Sequence, residues 1–245
     1  MTEISKIRNI AVIGTFGSGK TTLLESLLYH LKAIPHKGSI EKGTTVSDYD
    51  ADEVRKHMSL NSCLCQVNWE GTQFNFIDTP GFKDYLHEAM VVLNMVENVI
   101  FVLDPLKGLD VTTQKLMQGV QARQLPCLFF INKLDHSEVD FDEMSEMLNS
   151  HADFKHLFHL SLPIGAGAQL SGMVEVLEQQ AWFVDAAGQP QTSEIPEDVD
   201  AGTAYEALVE DVSETDAELL DIYLETGELP LDKVRETIHN SFKEG

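Results

Sequence analysis

The chain has 245 residues, 43% of them hydrophobic, which is enough to bury a sizeable core in one large domain or in a domain with a subdomain. Its formal net charge is −23, from 17 Lys and Arg against 40 Asp and Glu, so we expect no autonomous nucleic-acid binding through a basic face. No run approaches the roughly 18 apolar residues of a membrane span, and the N-terminus lacks a signal peptide's apolar core, which predicts a cytoplasmic protein without a membrane partner.

The first motif along the chain is a glycine-rich turn between a predicted strand and a predicted helix. Asn9 to Ile13 is a short apolar run typical of a buried strand, and leucines recur at helical spacing from Leu23 to Leu31. Residues 14–21 between them fit G-x-x-x-x-G-K-[ST], which predicts a phosphate-binding loop. The predicted loop site contains Gly14, Thr15, Phe16, Gly17, Ser18, Gly19, Lys20, Thr21 and Thr22.

The residue types of this loop explain the prediction. Glycines let the backbone curl around a polyphosphate, so that N–H groups and the positive end of the helix point at its oxygens. Lys20 adds a positive charge at the β- and γ-phosphates, and Thr21 offers a hydroxyl to Mg²⁺.

A long polar segment and a predicted hairpin follow. Residues 36–60 are rich in Gly, Ser, Thr and Asp without a sustained period, and loops of that length are usually functional or mobile. Residues 62–69 and 72–77 read as two strands joined by a tight turn at Glu70 and Gly71. The second strand leads into Asp78-Thr79-Pro80-Gly81.

Further along, apolar strands alternate with helices. A helix from about Asp84 precedes the apolar run at 99–103, a second helix is predicted near 112–123, and a strand at 127–131 ends at Asn132-Lys133-Leu134-Asp135. This order predicts an α/β fold with a parallel sheet covered on both faces. In such sheets the ligand lies beyond the carboxyl ends of the strands, so the three polar motifs can converge on one ligand.

Each polar motif has residues suited to one part of a guanine nucleotide. Asp78 can hold a metal-bound water, and the Gly81 N–H can reach a γ-phosphate and sense its presence. Asp135 can accept two hydrogen bonds from N1–H and the exocyclic amine of guanine, which adenine cannot offer. Asn132 and the stem of Lys133 would brace that pocket.

Two features leave alternatives open. Cys63, Cys65 and Cys127 read as reduced core residues, and a metal held by Cys63 and Cys65 lacks further ligands at a suitable spacing. The stretch between Lys155 and Lys233 has no Lys or Arg but many carboxylates, which indicates a subdomain whose acidic residues form either a solvated helix face or a docking surface.

With these motifs the chain resembles the nucleotide-binding domain of translational GTPases, especially elongation factor G and its divergent paralogues. The segments 7–10, 43–49, 162–166, 194–196, 214–220 and 223–225 add to the resemblance, which spans almost the whole chain. It implies a P-loop NTPase domain with a doubly wound, mostly parallel sheet and one antiparallel hairpin strand. It further implies a small α+β inserted subdomain that docks ribosomal stalk proteins, and contacts with large-subunit RNA.

The sequence departs from that family at three places. Gly17 stands where the family commonly has an Asp tied to a monovalent cation. In the first switch Ser59 replaces the Mg²⁺-binding Thr, which makes Thr21, Ser59 and Asp78 the expected metal ligands. Phe82 replaces the His that orients the attacking water, and a phenyl ring makes no strong hydrogen bond.

The resemblance also sets the expected domain limits. Residues 1–156 would form the GTP-binding domain and residues 157–245 the acidic subdomain. The family's guanine-capping loop, last strand and last helix have no counterpart after Pro230, so we expect a fragment or a truncated relative.

The predicted function is binding of GTP and GDP with Mg²⁺ and hydrolysis of GTP in a ribosome-linked role, slowed by Phe82. Lys20 and Gly81 are the expected catalytic residues, acting by position and electrostatics. The alternative is a non-catalytic, GTP-dependent interaction module. An ATPase or kinase is disfavoured by Asp135.

Overall fold

The computed structural model describes residues 3–151, 157–185 and 188–244. Contacts divide the chain into two compact units, Met1–Asn132 and Lys133–Glu244. The domain limits expected from sequence, 1–156 and 157–245, stay a prediction, and their boundary falls beside residues 152–156, which lie outside the described part. Within the described residues, every helix is too short or too polar to cross a bilayer.

The first unit alternates strands and helices as its sequence predicts. In chain order it contains β1 (Ile7–Ile13), α1 (Lys20–His30), α2 (Ala51–Lys56), β2 (Cys63–Trp69), β3 (Thr72–Asp78), α3 (Leu86–Val92), β4 (Asn98–Leu103), α4 (Val111–Gln121) and β5 (Cys127–Ile131). The described strands form one sheet in the order β2-β3-β1-β4-β5. Only β2 runs antiparallel, to β3, while the other pairs are parallel. The predicted α/β fold with a mostly parallel sheet is confirmed.

The hairpin of β2 and β3 has the predicted two-residue turn. Glu70 and Gly71 both have positive φ, 46° and 77°, which is the backbone of a type I′ turn and matches the twist of the flanking strands. The side chains of Cys65, Val67 and Phe76 from this hairpin are buried in a cluster with α1. The hairpin thus brings Asp78, at the end of β3, to the carboxyl edge of the sheet beside β1.

The sheet core explains why its strands are apolar throughout. Val12 and Val102 pack with Leu24 and Leu28 of α1 on one face. Their neighbours Ala11, Ile13, Phe101 and Leu103 are also buried, and alternation along a strand directs them to the opposite face. Burial on both faces fixes β1 and β4 in the middle of the sheet, so the loops after them are held by a rigid layer.

The segment 36–60 is more structured than the sequence prediction allowed. It contains α2, a short helix whose N-cap Asp50 accepts a hydrogen bond from the Asp52 N–H. Glu53 completes a capping box by accepting from the Asp50 N–H at 3.1 Å. The prediction of a loop throughout residues 36–60 was wrong at residues 51–56, because a helix of 6 residues is too short to show a hydrophobic period.

The second unit combines helices with an antiparallel sheet, as an α+β arrangement. It contains α5 (Phe141–His151), β6 (Ser161–Ile164), β7 (Gly172–Glu175), β8 (Gln180–Val184), β9 (Pro190–Ser193), α6 (Ala201–Ser213), α7 (Ala217–Thr226) and α8 (Leu231–Glu244). The described strands pair in the order β6-β7-β8-β9. Leu208, Leu219 and Val234, one from each of the last three helices, share an apolar cluster. The acidic residues of α6 and α7, such as Glu206, Glu210 and Asp221, lie on the exposed side.

Candidate functional site

The residues after β1 form the backbone cradle that the glycine pattern predicts. Gly14, Gly17 and Gly19 have φ values of 147°, 71° and 101°, a region that side chains strongly disfavour. A Cβ at Gly14 would lie 2.3 Å from the Val102 carbonyl oxygen, so only glycine fits where the loop crosses β4. Gly19 caps α1, and the first turn of that helix therefore points its free N–H groups into the cradle.

Lys20 lies at the start of α1 with its side chain buried. Its Nζ donates to the Thr15 carbonyl at 3.0 Å, which bends the side chain back over the loop. Burial lowers the pKa of Lys20 to about 8, although the nearby Asp78 carboxylate opposes that shift. The lysine is therefore a desolvated cation aimed at the centre of the cradle, the arrangement that an anionic ligand stabilises.

Thr21, Ser59, Asp78 and Asp48 bring their oxygens together beside Lys20. The Thr21 hydroxyl donates to Asp78 Oδ2 at 2.7 Å and lies 3.3 Å from the Ser59 hydroxyl. Ser59 donates in turn to Asp48 Oδ1 at 2.7 Å. Desolvation raises the pKa of Asp78 to about 6, with Lys20 and the Thr21 hydrogen bond acting against it. Desolvation also raises the pKa of Asp48, against the effect of its bond from Ser59.

This oxygen cluster suits a magnesium ion. Mg²⁺ binds hydroxyl, carboxylate and water oxygens in preference to nitrogen or sulfur. Among the described residues, Asp78 Oδ1 and Ser18 Oγ are buried without a hydrogen-bond partner, although such atoms are normally satisfied. A hydrated cation beside Asp78 and an anion at Ser18 would satisfy both atoms. The residues present therefore fit the metal that the motif implies, and Thr21, Ser59 and Asp78 are the side chains that could hold it.

The segment after β3 lies directly against the phosphate loop. Thr79 bonds the Val12 carbonyl of β1 through its N–H at 3.3 Å and its hydroxyl at 2.9 Å. A Cβ at Gly81 would lie 2.3 Å from Lys20 Nζ and 2.7 Å from the Phe16 nitrogen. Any side chain at Gly81 would displace the lysine or the loop. The structure thus brings Gly81 and Lys20 together.

Phe82 follows at the outer end of this segment. Its side chain is 36% exposed and meets the Phe16 ring edge-to-face, with centroids 6.1 Å apart. Its centroid lies 6.4 Å from that of Tyr85. The Phe82 ring itself has no hydrogen-bonding atom, although the family resemblance predicts a water-orienting group at this position.

The long segment 36–60 is held by two buried carboxylates that sequence reasoning missed. Glu25 of α1 accepts from the N–H of Gly38 at 2.8 Å and also from the N–H of Val46. Glu53 accepts from the N–H groups of Leu60 and Asn61 at 2.9 and 3.0 Å. These bonds fix the backbone at Val46, two residues before Asp48, and at Leu60, the residue after Ser59. The Asp50-x-x-Glu53 pattern was a readable signal, whereas Glu25 has no local signature.

An open cleft lies over the cradle and over two of the predicted metal ligands, Thr21 and Ser59. Residues from the loop, from the segment 36–60 and from Gly81 line it, including Gly17, Lys20, Thr21, Asp48, His57 and Ser59. His57 ends α2 with a φ of 53°, and its Nδ1 lies 2.9 Å from the Ile40 carbonyl, to which it must donate. Asp48 and His57 were not predicted as site residues, since nothing in their spacing distinguishes them from other polar residues of the segment.

The remaining predicted site residues lie farther along the loop and the chain. Asn132 donates from Nδ2 to the Ser18 carbonyl at 2.8 Å, which braces the phosphate loop. Thr22 is exposed on the first turn of α1. Lys133, with a φ of 59°, and the exposed Asp135 belong to the second unit. Their role with guanine therefore remains a proposal from the sequence motif.

Comparison with known proteins identifies relatives along nearly the whole chain. A family model described as the elongation factor Tu GTP binding domain matches residues 5–228. The chain is 28% identical to an elongation factor G-like protein of Thermotoga maritima, over 100% of this chain and 35% of that protein. It is 30% identical to elongation factor G of Neorickettsia sennetsu, over 96% of this chain and 35% of that protein.

One solved structure agrees with these relatives. A crystal structure of a protein from Thermus thermophilus matches with a TM-score of 0.90 and 26% identity, over 98% of this chain and 36% of that one. The chain thus spans about a third of the length of these proteins.

Proposed function

Because the chain belongs to the elongation factor Tu GTP binding domain family, we propose that it binds GTP and GDP with Mg²⁺ at the phosphate loop and hydrolyses GTP slowly there. The observation that carries the proposal is a hydrogen-bonded cluster of two hydroxyls and two carboxylates, Thr21, Ser59, Asp78 and Asp48, in the first unit. The buried Lys20 ammonium lies at the same loop, which forms a backbone cradle that only glycine allows. A polyphosphate and a divalent cation together complement this arrangement.

Each group has a role in this proposal. Lys20 and the free N–H groups of the first turn of α1 bind the β- and γ-phosphates, and the Gly81 N–H contacts the γ-phosphate. Thr21, Ser59 and Asp78 would hold the metal, and Asp48 would position Ser59 by accepting its hydroxyl hydrogen bond. When bound, Mg²⁺ neutralises phosphate charge. The protein contributes position and electrostatics, without a covalent intermediate.

Guanine selection is proposed from the motif after β5. Asp135 accepts from N1–H and the exocyclic amine of guanine, and Asn132 holds the phosphate loop through the Ser18 carbonyl. Adenine presents no such pair of donors, so ATP binds less tightly. Asp135 comes three residues after Asn132 along the chain, the spacing of the predicted motif.

The proposed setting is translation in the cytoplasm. The relatives named elongation factor G support a ribosome-linked role. The exposed carboxylates of α6 and α7 give the second unit an acidic surface of the kind that pairs with basic proteins, and the resemblance points to ribosomal stalk proteins as partners.

A second candidate function is a GTP-dependent interaction module that does not hydrolyse its nucleotide. The observation favouring it is Phe82, whose ring packs on Phe16 and offers no hydrogen bond to an attacking water. Nucleotide binding does not depend on Phe82, because the proposed phosphate and metal contacts are made by other residues. The two candidates therefore differ only in turnover.

The first experiment is calorimetric titration with GTP, GDP and ATP at saturating Mg²⁺, using Lys20→Ala as the negative control. We expect guanine nucleotides to bind and ATP to compete poorly, whereas equal affinities for GTP and ATP would reject the proposal. The second is single-turnover GTP hydrolysis with and without ribosomes. Turnover that ribosomes accelerate supports the GTPase, and binding without any turnover supports the interaction module.

A further inference from the structure

A lysine from a neighbouring loop lies on the outer end of the phosphate loop. Lys107 ends a short 3-10 turn, Pro105–Lys107, that follows β4. Its ammonium donates to the Phe16 carbonyl and lies 5.9 Å from the centroid of the Phe16 ring. A Cβ at Gly17 would lie 3.6 Å from the same nitrogen. Because Phe16 and Gly17 line the cleft, this ammonium stands at its edge.

The charge on Lys107 is only partly compensated. Asp104 Oδ2 lies 3.9 Å from Nζ, beyond hydrogen-bonding distance. An ammonium has three N–H donors. Among the described residues, Lys107 Nζ uses one of them in a hydrogen bond to the Phe16 carbonyl. Two donors therefore remain for a ligand, since a carboxylate at that distance orients the ammonium without saturating it.

Two ammonium groups close to one loop are unfavourable unless an anion joins them. Lys20 is buried beside the same loop, where its Nζ donates to the Thr15 carbonyl, and the positive charge of Lys107 repels it. A bound polyphosphate carries several negative charges and reverses this repulsion. Gly17 leaves space for the Lys107 ammonium, because side-chain atoms beyond a Cβ at residue 17 would occupy the same space.

We propose that Lys107 is a built-in cation that contacts the γ-phosphate and stabilises the transition state of GTP hydrolysis, an inference that rests on the proposed function. Water oxygen bonds to the γ-phosphorus, the bond from phosphorus to the β–γ bridging oxygen breaks, and GDP leaves with that electron pair. One proton of the water stays on its oxygen as a hydroxyl of inorganic phosphate, and the other passes to another oxygen of that phosphate. Negative charge grows on the bridging and γ-oxygens. An arginine placed there by the same chain or by a partner accelerates such reactions by about 10³–10⁵-fold, and a lysine ammonium supplies the same positive charge.

A purely structural role of Lys107 predicts a different result from a role in transition-state stabilisation. If Lys107 only fastens the loop through the Phe16 carbonyl, its loss loosens the cradle for every nucleotide alike. If it stabilises transition-state charge, its loss spares GDP and affects only ligands that resemble the transition state. GDP with aluminium fluoride, which mimics the planar phosphoryl group, separates the two even where turnover is slow.

The test uses the full chain carrying Lys107→Met, which keeps the apolar stem and removes the charge, and Lys107→Arg, which keeps the charge. Lys115→Met, at an exposed lysine of α4, is the matched control. Affinities for GDP alone and for GDP with aluminium fluoride are measured at saturating Mg²⁺, together with single-turnover hydrolysis of GTP.

For Lys107→Met we expect GDP affinity within about threefold of wild type, with affinity for GDP–aluminium fluoride and the turnover rate each reduced at least about tenfold. Lys107→Arg and Lys115→Met should stay near wild type, and added methylammonium or K⁺ should partly restore Lys107→Met. Equal losses for GDP and for GDP–aluminium fluoride, or no loss at all, would overturn the proposal. Wild-type chain that fails to bind GDP would instead reject the proposed function itself.

Discussion

Asp78→Asn should stabilise the nucleotide-free protein while strongly weakening its response to Mg²⁺ and nucleotide. The Asp78 side chain is buried, and one of its oxygens, Oδ1, has no hydrogen-bond partner among the described residues. Asparagine has the same shape and still presents an oxygen to the Thr21 hydroxyl, which donates to Oδ2 at 2.7 Å. The substitution therefore removes a buried charge with little change in packing.

The size of the effect follows from the pKa of Asp78. Desolvation raises it from 3.8 to about 6. Because the folded pKa lies above the unfolded one, the contribution of this group is fully present below about pH 4 and is lost as pH rises through about 6. At pH 7 the ionised group costs up to about 3 kcal/mol. This figure already includes the opposing attraction of Lys20, and the buried amide of asparagine carries a smaller desolvation cost of its own, so we expect a net gain of about 1–3 kcal/mol.

Urea unfolding of both proteins at pH 7 and pH 4.5, without nucleotide, measures this directly. The advantage of Asp78→Asn should be clear at pH 7 and shrink at pH 4.5, where wild-type Asp78 is largely protonated. Mg²⁺ and GDP at about 100 times Kd should stabilise wild type by about 2.7 kcal/mol and the variant far less. A variant less stable than wild type at pH 7 without ligand would refute the reasoning.

Three further predictions address guanine selection, turnover and the segment 36–60. Asp135→Asn should weaken GTP and GDP binding at least about tenfold in calorimetry, because a charge-assisted hydrogen bond worth about 1.5–3 kcal/mol is lost; unchanged affinity would contradict the assigned role. Phe82→His should raise single-turnover hydrolysis, most of all with ribosomes, by restoring a hydrogen-bonding group beside the cleft; brisk wild-type turnover that the variant lowers would count against it. Glu53→Ala leaves the N–H groups of Asp50, Leu60 and Asn61 without their acceptor. Amide exchange across residues 57–61 should therefore accelerate and Mg²⁺-dependent nucleotide affinity should fall, with the exposed Glu41→Ala as control. Protection equal to wild type would show that the backbone holds Ser59 in place without Glu53.

The parts of the fold that the sequence predicts well are those with strong local or periodic signals. The strand at 127–131, the turn at Glu70 and Gly71, and the loop ending at Lys20 are all as expected. Each is determined by consecutive apolar residues or by glycine at positive φ. The convergence of Lys20 and Asp78 was also predictable, because parallel strands place their carboxyl ends at one edge.

The parts that sequence reasoning missed depend on contacts between distant residues. Glu25 reaches the backbone of Gly38 and Val46, and Lys107 reaches Phe16 across 91 positions. Neither contact leaves a trace in local spacing, because both depend on how two loops meet above the sheet. Asp48 belongs to the same class, since only the fold brings it to the Ser59 hydroxyl.

A crystal structure with Mg²⁺ and a non-hydrolysable GTP analogue tests the central claim most directly. We expect the β- and γ-phosphates to lie in the cradle of residues 14–21 with Lys20 Nζ on their oxygens. The metal ion should be ligated by the Thr21 and Ser59 hydroxyls, with a water held by Asp78. Nucleotide bound away from this loop, or a metal ion without Thr21 among its ligands, would contradict the account.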